Sequence, residues 1–341
     1  MALVPTARGD TIDSSQLGFT LMTECVFLVT NEIDDNWPEL SFSSVPEEQR
    51  IEEAIAKLKT AKQNGVDTII DRVIPGIGRN VPRVKRVAER SPVNIIVATG
   101  YYTWCDLPYA IILQRAAPKC LQETVPTLED LLVRDIEEGI AGTGVRAGII
   151  KIVTDRWGLT DDVEYAIRAS ARAHRRTGVP ITSHTGIGIG AGSGLLQQQV
   201  LREEGVDLSR VIIGHIDFTP GDGLDDIQKI VDQGSYVAFD TVGLSDSGVS
   251  NRESRIKRIV ELCKRGHADQ VLVSHDDQCY QDLIPQNWLD PEHGKRFPTY
   301  TKVTRDLLPA LRERGVSESQ IRQMVYENPR RIFETRALGA Y

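Results

Sequence analysis

Short β-branched runs alternate with longer amphipathic stretches along almost the whole chain, and this alternation restricts the fold more than any other feature. The runs are 17–24 (LGFTLMTE), 67–73 (DTIIDRV), 94–99, 148–153, 180–184, 211–215, 235–240 and 271–275. Helix-period segments lie between them, among others at 46–64, 128–139, 161–177, 251–265 and 300–314, with Gly178, Gly205 and Gly266 where such helices should stop. Regular repetition of strand and helix implies right-handed βα units and a parallel sheet. Eight such units favour closure into a (β/α)8 TIM barrel over an open doubly wound sheet.

The 341 residues suffice for one barrel of about 250 residues plus loops, and nothing marks a second domain, so a single domain over 1–341 is expected. The aromatic insertion at 101–127 reads as a cap on one βα loop and 318–334 as helix packed against the barrel. The glycine-rich 186–194 (GIGIGAGSG) follows a strand, as a phosphate cradle does, but no ribose-binding acid follows about 20 residues on. It reads as a flexible loop at the barrel rim.

No apolar run approaches the ~18 residues of a membrane span, and the N-terminus has no signal-peptide pattern. A cytoplasmic protein without a membrane partner is expected. The net charge of -8 is spread without a basic stripe, which argues against nucleic acid as the main partner; a small-molecule substrate is the expected partner. Cys25, Cys105, Cys120, Cys263 and Cys279 are odd in number and irregularly spaced, so they read as thiols rather than a disulfide framework.

In a barrel, polar residues at the C-terminal strand ends face the mouth. Lys151, His184 and His215 end the fourth, fifth and sixth strands, and Asp276 follows the eighth. Neutral imidazoles suit zinc, iron, manganese or cobalt. An ammonium has no lone pair for a cation, so Lys151 joins a metal site only if carboxylated; otherwise it is an acid, a base or a Schiff-base amine. Asp276 could bind metal and accept a proton from the attacking water. His275 should face outward, since neighbouring strand residues alternate. His174, His267 and His293 fall in helix or loop contexts and read as structural or surface residues.

The chain resembles the phosphotriesterase-like proteins of the amidohydrolase superfamily, including their lactonases. The resemblance runs from Leu17-Gly18-Phe19-Thr20-Leu21-Met22 through Gly76-Ile77-Gly78-Arg79, Ala98-Thr99-Gly100-Tyr101-Tyr102 and Gly148-Ile149-Ile150-Lys151. It continues with Thr182-Ser183-His184-Thr185, Ile213-Gly214-His215 and Ser274-His275-Asp276, and ends at Glu327-Asn328-Pro329-Arg330-Arg331-Ile332-Phe333. It implies an amidohydrolase-type barrel, a homodimer, and two divalent metals bridged by a carboxylated lysine and a hydroxide. By motif, Lys151 would be that lysine, His184 and His215 would hold the more exposed metal, and Asp276 the buried one. The substrates implied are lactones, phosphotriesters, other esters or amides.

Four places depart from the family pattern, one of them Val73-Ile74-Pro75 on the second strand, which changes the residues leading into Gly76. His-x-His on the first strand is replaced by Thr23-Glu24-Cys25. Asp-Arg-x-Gly on the seventh becomes Asp240-Thr241-Val242-Gly243, and Asp217-Phe218 follows His215 where Gly-Asp or Asp-Asp is usual. A threonine hydroxyl is a poor ligand for a transition metal, whereas a cysteine thiolate is a good one.

Four readings follow. The first is a hydrolase with one divalent metal, zinc foremost, on His184, His215 and either Lys151 or Asp276. The second is a metal-free lyase, isomerase or cyclase using Lys151, Asp276, Tyr102 and Cys25. The third is a two-metal hydrolase with Cys25 as a ligand, and the fourth a binding protein without turnover. Tyr101, Tyr102, Trp104 and Tyr109 would either line a moderately apolar pocket or pack the loop or a dimer interface.

Overall fold

The computed structural model describes residues 2–39, 45–118, 124–244, 251–282 and 300–334; Cys120 and His293 lie outside them. A short antiparallel hairpin comes first, β1 (Leu3–Pro5) and β2 (Thr11–Asp13). The parallel strands β3 (Thr20–Leu28), β4 (Thr68–Asp71), β5 (Asn94–Gly100) and β6 (Ile149–Val153) follow. Four more complete the barrel: β7 (Ile181–His184), β8 (Val211–Ile213), β9 (Tyr236–Phe239) and β10 (Val271–Val273). Each pairs with the next in sequence order, so the expected (β/α)8 architecture is present.

Closure uses an element that the sequence pattern does not announce. The chain runs on from β10 through Ser274–Asp277 into β11 (Gln278–Gln281), which pairs in parallel with β3. Between the two strands, the Asp276 amide donates to the Thr23 carbonyl and the Cys25 amide to the Asp277 carbonyl. The buried Glu24 carboxylate clamps the seam. It accepts from Ser274 Oγ (2.8 Å), the His275 amide (2.9 Å), His275 Nδ1 (2.8 Å) and the Asp277 amide (3.0 Å). His275 therefore faces outward, as alternation predicts, and its Nε2 accepts from the Val303 amide.

Period-two alternation fills the barrel. Met22, Ile70, Ile96, Ala98, Ile149, Ile212, Ala238 and Leu272 share one buried cluster, which Val4, Leu17, Ile332 and Phe333 join. Their strand neighbours Leu21, Ile69, Ile95, Val97, Ile150 and Ile213 belong to the outer cluster, beneath the helices. Carrying the inner face two residues further along each strand replaces apolar side chains by polar ones: Arg72 after Ile70, Lys151 after Ile149, Asp240 after Ala238 and Ser274 after Leu272. The register between β3 and β4 shifts between Leu21 and Glu24, and this irregularity re-aims the strand where Thr23 leaves it.

The first strand begins at Thr20, three residues later than expected. The helices at 47–63, 128–137, 161–177 and 252–264 match their predicted segments closely. Tyr109–Ala116 is a helix within the aromatic insertion. The glycine-rich segment is a rim loop only in its first part, because Ala191–Glu203 is helical. A Cβ on Gly194 would sit 2.5 Å from Ile213 Cγ2 and 3.0 Å from Ile230 Cδ1. That glycine thus lets the helix pack closely on the sheet. Cys25, Cys105, Cys263 and Cys279 are free thiols, and among the described residues no helix is long and apolar enough to cross a membrane.

Two outcomes are expected. Glu24→Ala strands four buried donors and should lower stability by about 3 kcal/mol or more, read as a shifted denaturant midpoint; an unchanged midpoint would mean the seam does not need its clamp. Burial pulls the His174 imidazole down to about 4, against ~6.5 in an unfolded chain. The unfolded state then takes up a proton that the folded state refuses, so this histidine costs stability as pH falls from ~6.5 to ~4. His174→Asn should remove that contribution, and midpoints at pH 7 and 4.5 should differ less than in the parent protein. An equal difference would show that the ring is not held neutral.

Candidate active site

Strand geometry brings Lys151, His184, His215 and Asp276 to one end of the barrel, together with Tyr102 from the loop after β5. Lys151 is almost completely buried. Its Nζ donates to the Arg72 carbonyl (3.3 Å) and stands 5.0 Å from the centre of the Tyr102 ring. Burial, reinforced by the charge of Arg72, pulls its ammonium down to about 8. The His184 and His215 rings meet edge to face, 4.7 Å between centres. His215 Nε2 lies 3.8 Å from Asp276 Oδ2.

Both His215 and Asp276 have left-handed backbones, with φ of 53° and 57°. Non-glycine residues pay for this conformation and hold it where surrounding contacts fix it, often at functional sites. At His215 the contacts are visible. Its amide and its Nδ1 both donate to Asp240 Oδ1, each at 2.8 Å, so Nε2 is left as the lone-pair nitrogen facing the mouth.

Asp240 is the centre of a buried network. Its Oδ2 accepts from the Thr23 hydroxyl (2.7 Å) and lies 3.6 Å from Arg72 Nη2. Burial opposes ionisation, but His215, Arg72 and Thr23 together hold the carboxyl at about 2. Arg72 Nη1 donates to Thr182 Oγ1 (3.0 Å) and the Ser183 carbonyl (3.2 Å).

His184 makes a different contact: its Nε2 donates to Asp155 Oδ2 (2.8 Å), with the Tyr102 hydroxyl 3.5 Å away. Burial lowers this imidazole to about 4, so it is neutral near pH 7. Tyr102 accepts from Trp104 Nε1 (3.2 Å), and Trp104 stacks on Trp157 with Arg156 over both rings. Tyr102 and Trp104 thus border the mouth, whereas Tyr109 is 82% exposed.

Cys25 is buried beside Leu28 and Val73. Burial and the nearby Asp276 push its thiol well above the ordinary range. Asp217, the unexpected residue after His215, is structural: its Oδ1 accepts from Arg255 Nε (2.5 Å) and its Oδ2 from the Thr241 amide (3.0 Å). His174 Nδ1 donates to the Val179 carbonyl, and His267 pairs with Gln228 and Gln270. The cavity of about 430 Å³ between Arg252, Lys302 and Asp306 is lined by none of the mouth residues.

The residues do not offer two metal positions. In the deeper part, the Thr23 hydroxyl is committed to Asp240, and the Arg72 guanidinium is already present. The outer part fits one divalent ion, having two imidazoles and a carboxylate. As they stand, however, no three His, Cys, Asp or Glu side chains among the described residues are grouped to enclose an ion, and His184 Nε2 is engaged by Asp155. Five of the six sequence candidates therefore converge on one mouth, Tyr102 among them, while Cys25 sits beside Leu28 and Val73. Arg72, Asp240 and Asp155 were missed. The first two carried a signal, since each lies two residues beyond an inward-facing apolar residue; Asp155, in a loop, carried none.

A sequence model described as the Phosphotriesterase family matches residues 2–333. Among similar proteins, a phosphotriesterase homology protein of Mycobacterium tuberculosis is 44% identical, over 96% of this chain and 97% of its own. An aryldialkylphosphatase of Saccharolobus solfataricus is 34% identical, over 97% and 99%. An N-acetyltaurine hydrolase of Dictyostelium discoideum is 29% identical, over 88% and 78%. The solved structure of a phosphotriesterase from Mycobacterium tuberculosis superimposes with a TM-score of 0.87 at 41% identity, covering 98% of both chains.

Asp240→Ala should cost about 3–5 kcal/mol by leaving Arg72 as an uncompensated buried charge, measured from the denaturant midpoint. A midpoint equal to the parent's would mean that Arg72 does not depend on this carboxylate.

Proposed function

The chain belongs to the phosphotriesterase family, and from that premise we propose that it is a hydrolase of a small ester, lactone or amide, with one divalent ion at the barrel mouth. The supporting observation is the pair of perpendicular imidazoles, His184 and His215, 4.7 Å apart beside the Asp276 carboxylate. Two relatives carry hydrolase names, aryldialkylphosphatase and N-acetyltaurine hydrolase, which agrees with this class.

His184, His215 and Asp276 would hold the ion, zinc foremost, and Lys151 would join them only as a carbamate. When bound, such an ion polarises the scissile carbonyl or phosphoryl oxygen and acidifies a water toward ~7. The chain's own groups do the rest. Asp240 fixes the His215 tautomer, which directs the Nε2 lone pair outward. Asp276, about a quarter exposed at its side chain, is the acceptor for the proton leaving the attacking water. To hold an ion, His184 would have to release Asp155. Tyr102, kept protonated by burial, offers its hydroxyl to an oxygen of the bound substrate. We assign Cys25 no step, because the reactive form is the thiolate and its niche favours the thiol.

Protein purified without chelator should hold about one equivalent of divalent metal, and His184→Asn or His215→Asn should remove metal and hydrolysis together. Asp276→Asn should cost ~10²–10⁴-fold in kcat/KM across an ester, lactone and amide panel. Undiminished hydrolysis by fully metal-free protein would overturn the proposal.

A further inference from the structure

We propose that Arg72 is a built-in cation occupying the deep half of the mouth, where it takes the place of a second metal ion. Arg72 is 1% exposed and follows β4 on the inward face, two residues beyond Ile70. Its backbone amide donates a hydrogen bond to the Glu24 carbonyl, so it lies beside the stretch of β3 that bears Thr23 and Cys25. Its guanidinium reaches across the barrel to Thr182 and Ser183 of β7 and to Asp240 beyond β9.

The surroundings are shaped for this group. A Cβ on Gly214 would lie 3.2 Å from both Arg72 Nη1 and Asp240 Oδ2 and only 2.2 Å from the Ser183 carbonyl oxygen. The absent side chain therefore makes the space in which guanidinium and carboxylate meet. Thr23 contributes a hydroxyl to the same Asp240 oxygen that faces Arg72. Arg72 Nε and Nη2 have no hydrogen-bond partner in the structure. Buried donors of a permanently charged group demand negative charge nearby; they would repel any divalent ion placed between Thr23, Cys25 and Asp240. The guanidinium thus faces one oxygen of Asp240 while the other oxygen holds His215 for the outer site. Arg72 is a positioning residue and touches no reacting atom.

The proposal refines the one-ion reading, and its test separates the two. Thr23→His/Cys25→His supplies two imidazoles to the deep half while Arg72 stays. Metal content by elemental analysis should remain at the parent value. Adding Arg72→Ala should then raise it by about one equivalent per chain, with circular dichroism confirming a folded barrel. A gain in the double variant, or no gain in the folded triple variant, overturns the assignment. A second measurement needs no substitution. Parent protein saturated with Mn²⁺ should give an electron paramagnetic resonance spectrum free of exchange coupling, and a coupled pair of ions would refute the role given to Arg72. A parent protein that binds no ion overturns the one-ion hydrolase instead, and the gain expected only on removing Arg72 still decides this inference.

Discussion

The mouth of this barrel depends on one buried carboxylate. Asp240 is fully buried, and a lone carboxyl in such a place would take a proton to escape the cost of desolvation. It stays ionised because groups from separate strands converge on it: Thr23 from β3, Arg72 from the end of β4 and His215 beyond β8. Each contact explains a residue that otherwise looks arbitrary. Threonine supplies a donor hydroxyl, glycine at 214 supplies room, and arginine supplies a charge that no change of pH near neutrality can remove.

From that carboxylate the mouth divides into two halves with different chemistry. Below, the Thr23 hydroxyl and the Arg72 guanidinium face Asp240, and the positive charge is supplied by the chain. Above, His184, His215 and Asp276 present imidazole nitrogens and carboxylate oxygens, a donor set for one divalent ion. Lys151 stands between, and burial together with Arg72 weakens its hold on its proton. The left-handed backbones of His215 and Asp276 belong to the upper half. Both are overdetermined from below, His215 by Asp240 and Asp276 by its amide bond to Thr23, so the deep network holds the outer donors in place.

Much of this was legible in the chain. Eight runs of β-branched residues gave the barrel strands. Strand-end polarity pointed to Lys151, His184 and His215, and alternation turned His275 outward onto Glu24. Arg72 and Asp240 were equally legible by the same two-residue rule, counted from Ile70 and Ala238, but a search for metal donors passes over an arginine and a carboxylate that hold other side chains. Asp155 was out of reach, because only folding brings the loop after β6 to His184. The β10–β11 seam was hidden as well, since Ser274–Asp277 has no strand period and is held by Glu24 from 250 residues away. The glycine-rich segment misled in part: its later glycines answer to a close helix–sheet contact with Ile213, which no local pattern encodes.

The rim shows how such a floor can serve changing substrates. Trp104 and Trp157 stack with Arg156 above them, an arrangement worth about 0.5–1 kcal/mol per cation–ring contact where exposed. Both rings remain substantially open to solvent. They connect to the chemistry by two routes: Trp104 Nε1 donates to the Tyr102 hydroxyl, which faces His184, and the Arg156 amide donates to Asp155, which binds His184. The wall can therefore change its shape with little effect on Asp240, Arg72 and His215, which share no hydrogen bond with it. A change at Tyr102, by contrast, reaches both the wall and the donor set, because its ring also lies beneath the Lys151 ammonium. Recognition and activation thus meet in this mouth at Tyr102 and at Asp155.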